Sequence, residues 1–133
     1  MTRCSACLFV LAFATSVRAD VTPLEGKWTV ISMESNGKLE PRYQGAIREH
    51  KDDQIKMTLK DGSTLEASMK VDAAKKTIDI FPKTGLYKDK TLLAIYDIKG
   101  DTLRLCFAEP DKDRPKTLNG KQGATLFTLK KAK

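Results

Sequence analysis

Apolar side chains recur at every second residue of this chain, in short runs separated by turn residues. Trp28-Thr29-Val30-Ile31-Ser32-Met33 opens the series and ends at Asn36-Gly37, a pair that tolerates the positive φ of a tight hairpin. Gln54 to Lys60 carries Ile55, Met57 and Leu59 on one face and stops at Asp61-Gly62. Thr64 to Val71 repeats the rhythm before a turn over Asp72 to Lys76. Thr77 to Phe81 follows, with Ile78 and Ile80 on one side and Asp79 on the other. Thr91 to Ile98 is apolar on both faces over much of its length, and Gly100-Asp101 turns it into Thr102 to Phe107. Thr125 to Leu129 is the last strand. Ile47 to Lys51 is a weaker one, stopped by Asp52-Asp53. Leu39 to Gly45, with Pro41, reads as a loop or one turn of helix, and Pro82–Lys90 and Ala108–Gly123 read as longer loops.

Eight short strands therefore predict an all-β domain. Connections of hairpin length cannot carry parallel crossovers, so the sheet is expected to be an antiparallel meander. Each strand has one apolar face, and no amphipathic helix is available to cover it. Curling the sheet shut buries that face and removes the edges, which predicts an eight-stranded antiparallel meander barrel. The alternative is a two-layer β-sandwich, which usually needs longer Greek-key crossings.

The first residues stand apart from this rhythm. Arg3 is followed by 14 uncharged residues from Cys4 to Val17, and Val17-Arg18-Ala19 resembles a cleavage site before Asp20. The run is shorter than the roughly 20 apolar residues of a membrane span. Residues 1–19 are therefore expected to be a signal peptide, with an uncleaved anchor as the alternative, and residues 20–133 one domain. The expected location is secreted or periplasmic, in the cell envelope, with no transmembrane segment after cleavage. Cleavage removes two basic residues and no acidic one, lowering the net charge from +7 to +5.

It also leaves Cys106 as the one cysteine, too few for an internal disulfide, so the hydrophobic core must hold the fold. Cys106 lies in an apolar strand and is expected to be buried and inert. His50, the one histidine, sits between Glu49 and Lys51 and is expected to face solvent. One histidine and one distant cysteine do not make a zinc site of ordinary spacing, and no acidic group has the spacing of a calcium loop. No Gly-x-Ser-x-Gly elbow or phosphate-cradling glycine loop is present. The expectation is a non-enzymatic domain without cofactor or metal. Lysines are scattered among acidic residues, and Tyr43, Tyr87 and Tyr96 are far apart, so a nucleic-acid partner is not expected.

One stretch carries a resemblance. Leu24-Glu25-Gly26-Lys27-Trp28-Thr29-Val30 contains Gly-x-Trp and is followed, in order, by Asn36-Gly37-Lys38 and Ile78-Asp79-Ile80. Thr91 to Tyr96, Gly100-Asp101-Thr102-Leu103-Arg104-Leu105-Cys106 and Arg114-Pro115 come next. From Leu24 to the C-terminus this order resembles a family of uncharacterised, lipocalin-like bacterial domains that are often exported. The resemblance implies an eight-stranded barrel and no known activity. In true lipocalins a basic residue near the end of the barrel packs over the opening Trp, and Arg104 and Lys130 are the alternatives for that role here. Read without the family, Trp28 can plug one end of a barrel or stack on a ligand.

Two functions follow as expectations. One is an interaction module of the cell envelope, working through its long loops, with Lys112, Arg114 and Lys116 as the surface patch and an anionic envelope component as partner. The alternative is a carrier of a small apolar ligand in the barrel interior, for which Trp28, Met57, Met69, Ile80 and Leu105 are the ligand-binding candidates. A carrier requires a cavity of several hundred Å³, whereas an interaction module requires a filled interior.

Overall fold

The computed structural model describes residues 22–132, so the predicted signal peptide lies outside the described residues. The strands are β1 Gly26–Ser35, β2 Lys38–Leu39, β3 Ile47–Lys51, β4 Gln54–Thr58, β5 Thr64–Asp72, β6 Thr77–Pro82, β7 Leu92–Lys99, β8 Thr102–Ala108 and β9 Ala124–Lys131. Among the described residues the helical segments are two single 3₁₀ turns, Thr22–Leu24 before β1 and Pro41–Tyr43 after β2. Each strand pairs antiparallel with the next along the chain, β2 excepted, and β1 also pairs with β9. Strands β1 and β3–β9 thus close into an eight-stranded barrel, and β2 lies outside it. The architecture is the barrel, not the sandwich. Among the described residues no helix is long and apolar enough to cross a membrane.

Two local features shape the interior. The first is a bulge in β1. Val30 pairs with Leu129 and Ser32 with Thr128, so Ile31 has no partner on β9. An extra residue reverses which side chains point inward. Before it, Trp28 and Val30 are buried; after it, Met33 and Ser35 face the interior, opposite Phe127 and Thr125.

The second is the β3–β4 hairpin. Its turn is Asp52-Asp53, with Asp52 at φ 55°, and Lys51 pairs with Gln54. That register sets His50 opposite Ile55 and Arg48 opposite Met57. Facing residues of an antiparallel pair share a face, so the inward Ile55 and Met57 bring His50 and Arg48 inward too. His50 is 1% exposed, so the solvent-facing position expected for it is corrected.

Strand direction separates the two ends of the barrel. At the end where β1 begins, Trp28, Leu24, Ile78, Leu103 and Leu129 are fully buried and fill the interior. Lys131 lies over the Trp28 ring, with Nζ 4.8 Å from its centroid, and donates to the Glu25 carbonyl at 2.6 Å. Neither residue expected there takes this place. Arg104 pairs with Asp97 at 2.8 Å, and Lys130 lies 3.9 Å from Asp101. Gly26, at φ 117°, lets the backbone pass under Lys131, because a Cβ there would stand 2.6 Å from its Nζ. At the other end β1 outruns β3. Its free edge there is met by β2, through Glu34 with Leu39 and Ser35 with Lys38. The chain then turns over the barrel mouth at Pro41–Tyr43.

Candidate functional site

The mouth end is not filled. A cavity of about 390 Å³ opens there. Met33, Ile55, Met57, Ile80, Leu92 and Phe107 line it, from five different strands, so its wall is largely apolar. Phe127 joins them, stacked on Phe107 at 6.3 Å and met edge-on by Tyr43 at 6.2 Å. The rim comes from two segments. Glu40, Arg42 and Tyr43 reach it from the turn after β2, and Thr84, Gly85, Leu86 and Tyr87 from the loop after β6. The second segment is tied down: the Glu66 amide donates to Thr84 Oγ1 at 3.0 Å, and the Lys83 amide to the Glu66 carbonyl at 2.8 Å. Leu86 is 87% exposed at its tip. Burial raises the Tyr87 phenol above its ordinary pKa, with smaller contributions from Glu109 and Tyr43.

Of the charged side chains on the lining, Glu40, Arg42 and Glu66 are exposed and one is buried among these apolar groups. Arg48 is 5% exposed and lines the cavity. Its Nε donates to His50 Nε2 at 2.9 Å, and its guanidinium carbon lies 5.6 Å from the centre of the Phe127 ring. Desolvation pulls its pKa down to about 10, which still leaves it cationic at neutral pH. No carboxylate among the described residues comes within ion-pair distance of it. Its terminal nitrogens make no hydrogen bond to any described residue. They are not sealed off, because every fully buried side-chain nitrogen or oxygen of the described residues has a partner.

Behind Arg48 lies a closed hydrogen-bonded group. Leu24 offers its carbonyl to Trp28 Nε1 at 2.9 Å and to His50 Nδ1 at 3.1 Å. A carbonyl only accepts, so His50 donates from Nδ1 and accepts from Arg48 at Nε2, which makes it neutral. Burial is the main cause of a His50 pKa lowered to about 3, helped by the charges of Arg48 and Lys131 and opposed by the bond to Leu24. Both ring nitrogens are thereby engaged. Cys106 is also fully buried, and desolvation raises its thiol above the ordinary value.

The residues singled out in the sequence are distributed unevenly. Met57 and Ile80 line the cavity. Trp28, Met69 and Leu105 are buried in the core and do not line it. Of the basic patch, Lys112 and Lys116 are exposed and border a polar hollow formed by the loop over residues 109–123. Arg114 is half-buried, with its guanidinium engaged by the barrel. It donates to the Ile78 and Ala94 carbonyls at 3.2 and 2.9 Å and meets Asp79 Oδ1 at 2.6 Å, fastening the loop across β6 and β7. The three therefore do not form one exposed cluster. Arg48, Tyr43 and Phe127 were not singled out. Among the described residues no three His, Cys, Asp or Glu side chains gather as metal ligands. Comparisons of the chain with protein-family models, curated proteins and solved structures find no match.

Proposed function

We propose that the domain is an exported, non-enzymatic, lipocalin-like carrier that holds a small, mainly apolar ligand in the mouth of its barrel. The observation behind this reading is the cavity of about 390 Å³, apolar along its walls and plugged at the opposite end by Trp28 and its neighbours. That volume lies within the range of small-molecule sites, roughly 300–1,000 Å³. A barrel built only as a rigid support for outer loops gains from a filled interior, since apolar voids cost stability. The placement of Arg114 further favours the carrier over the envelope interaction module, because the centre of the expected basic patch is occupied in holding its own loop. The non-enzymatic part of the reading is supported by His50, whose two ring nitrogens are both bonded inside the barrel.

Fluorescence titration with the neutral probe N-phenyl-1-naphthylamine tests this reading. Saturable binding at one site per chain is expected, together with its loss in Ala67→Phe, which places a ring into the cavity from β5. An absence of saturable binding, or equal binding by a folded Ala67→Phe protein, would refute the carrier.

A further inference from the structure

We propose that the ligand is a single-chain amphiphile with one carboxylate, whose head pairs with the terminal nitrogens of Arg48 while its tail lies along the apolar wall of the cavity. This rests on the carrier reading and adds to it the chemical class of the cargo.

The inference starts from the cost of Arg48. A cation taken out of water is expensive unless an opposite charge or a full set of hydrogen bonds replaces the solvent. Arg48 has one neutral acceptor, His50 Nε2, and the face of Phe127. Neither balances its charge. Glu40 and Glu66, the acidic residues on the cavity lining, are exposed and form no ion pair with it.

The geometry narrows the partner. The bond from Nε to His50 occupies the edge of the guanidinium that points toward the plug. The two terminal nitrogens remain, and together they form the planar fork that matches the two oxygens of a carboxylate. His50 holds that fork in place, being itself bonded to the Leu24 carbonyl. One buried cation balances one negative charge. A dianionic phosphate would bring a second, unbalanced charge into the same desolvated space. Beyond the head, Ile55, Met57, Ile80, Leu92 and Phe107 offer no polar side-chain partner and suit a hydrocarbon chain.

Isothermal titration of the wild-type protein with decanoate and with 1-decanol, at neutral pH and below micelle formation, tests the proposal. Decanoate is expected to bind one per chain and about tenfold or more tighter than the alcohol, as befits a charge-assisted hydrogen-bonded pair. Arg48→Met is expected to abolish that preference while retaining the alcohol. Equal affinity of wild type for the two probes overturns the anionic head and leaves the carrier standing. Binding of neither, with no uptake of the neutral naphthylamine, ends the carrier reading as well. If Arg48→Met does not fold, carboxyl-labelled ¹³C decanoate bound to wild type decides the matter by NMR. Its carboxylate is expected to titrate below its value in free solution, and titration at or above that value overturns the proposal.

Discussion

Arg48 donates its Nε proton to His50 Nε2 across 2.9 Å, and this bond fixes the state of the histidine. Arginine has no acceptor to offer, so the imidazole must present a lone pair at Nε2 and keep its proton at Nδ1, against the Leu24 carbonyl. A protonated ring would set one N–H against another and a second positive charge beside the first. The fold therefore holds His50 neutral, and through it holds the buried Arg48 cation in a set orientation.

This arrangement predicts acid sensitivity. His50 has a pKa of about 3 in the folded barrel, against an ordinary value of 6.5. Above pH 6.5 the ring is neutral whether the chain is folded or not, and its contribution to stability is complete. As the pH falls below that value the unfolded chain takes up the proton first, so stability drops by at most ~1.4 kcal/mol per pH unit. Urea titrations between pH 7 and 4 are expected to show this slope, and His50→Gln is expected to flatten it. An unchanged slope in the variant would place the acid sensitivity elsewhere.

The two side chains should also be energetically coupled. In a double-mutant cycle with Arg48→Met and His50→Phe, the double variant is expected to be more stable than the two single losses added together. Each single change leaves a partner without its bond, whereas the pair of changes leaves neither; a coupling of about 1–2 kcal/mol is expected. Additive losses would mean that the bond contributes nothing to stability.

At the plugged end, Gly26→Ala is expected to destabilise the barrel by ~1–3 kcal/mol, because alanine is strained at φ 117°. The new methyl group also displaces Lys131 from the face of Trp28. The intrinsic fluorescence of Trp28, the one tryptophan, should report that displacement. Adding Lys131→Ala removes the steric conflict but not the backbone strain, so it should recover only part of the loss.

Arg114→Met tests the role of the loop. Losing two bonds to strand carbonyls and the pair with Asp79 is expected to cost about 1–3 kcal/mol and to speed amide exchange over residues 109–123. Uptake of the neutral naphthylamine should be unchanged, since Arg114 does not line the cavity. Lys112→Ala, an exposed change, should stay within about 0.5 kcal/mol of wild type.

Most strands were legible because period-two patterning and turn residues agree there, as in β4, β5 and β8. Asn36-Gly37 and Gly100-Asp101 both make the two-residue turns expected of them, with Gly37 at φ 81° and Gly100 at φ 61°. The site was less legible, and β3 shows why. Ile47-Arg48-Glu49-His50-Lys51 has one apolar residue, and that residue faces outward, 37% exposed. Composition alone places His50 in water. The signal that corrects it lies in the turn: two residues at Asp52-Asp53 put His50 opposite Ile55, whose inward face was already clear. For Lys131 the signal was weaker but present: three of the last four residues are lysine, and continuing the inward face of Phe127 and Leu129 selects Lys131 over Lys130. The cavity was hidden for another reason. Met33 and Ser35 follow Ile31 out of step, and nothing in the local sequence marks a bulge.

Ile31 thereby divides a single strand between two tasks. On one side of the irregularity β1 supplies Trp28 and Val30 to the permanent interior; on the other it supplies Met33 and Ser35 to the chamber. The lining of the chamber and the packing of the base thus draw on separate stretches of one strand, and one surplus residue is the partition between them.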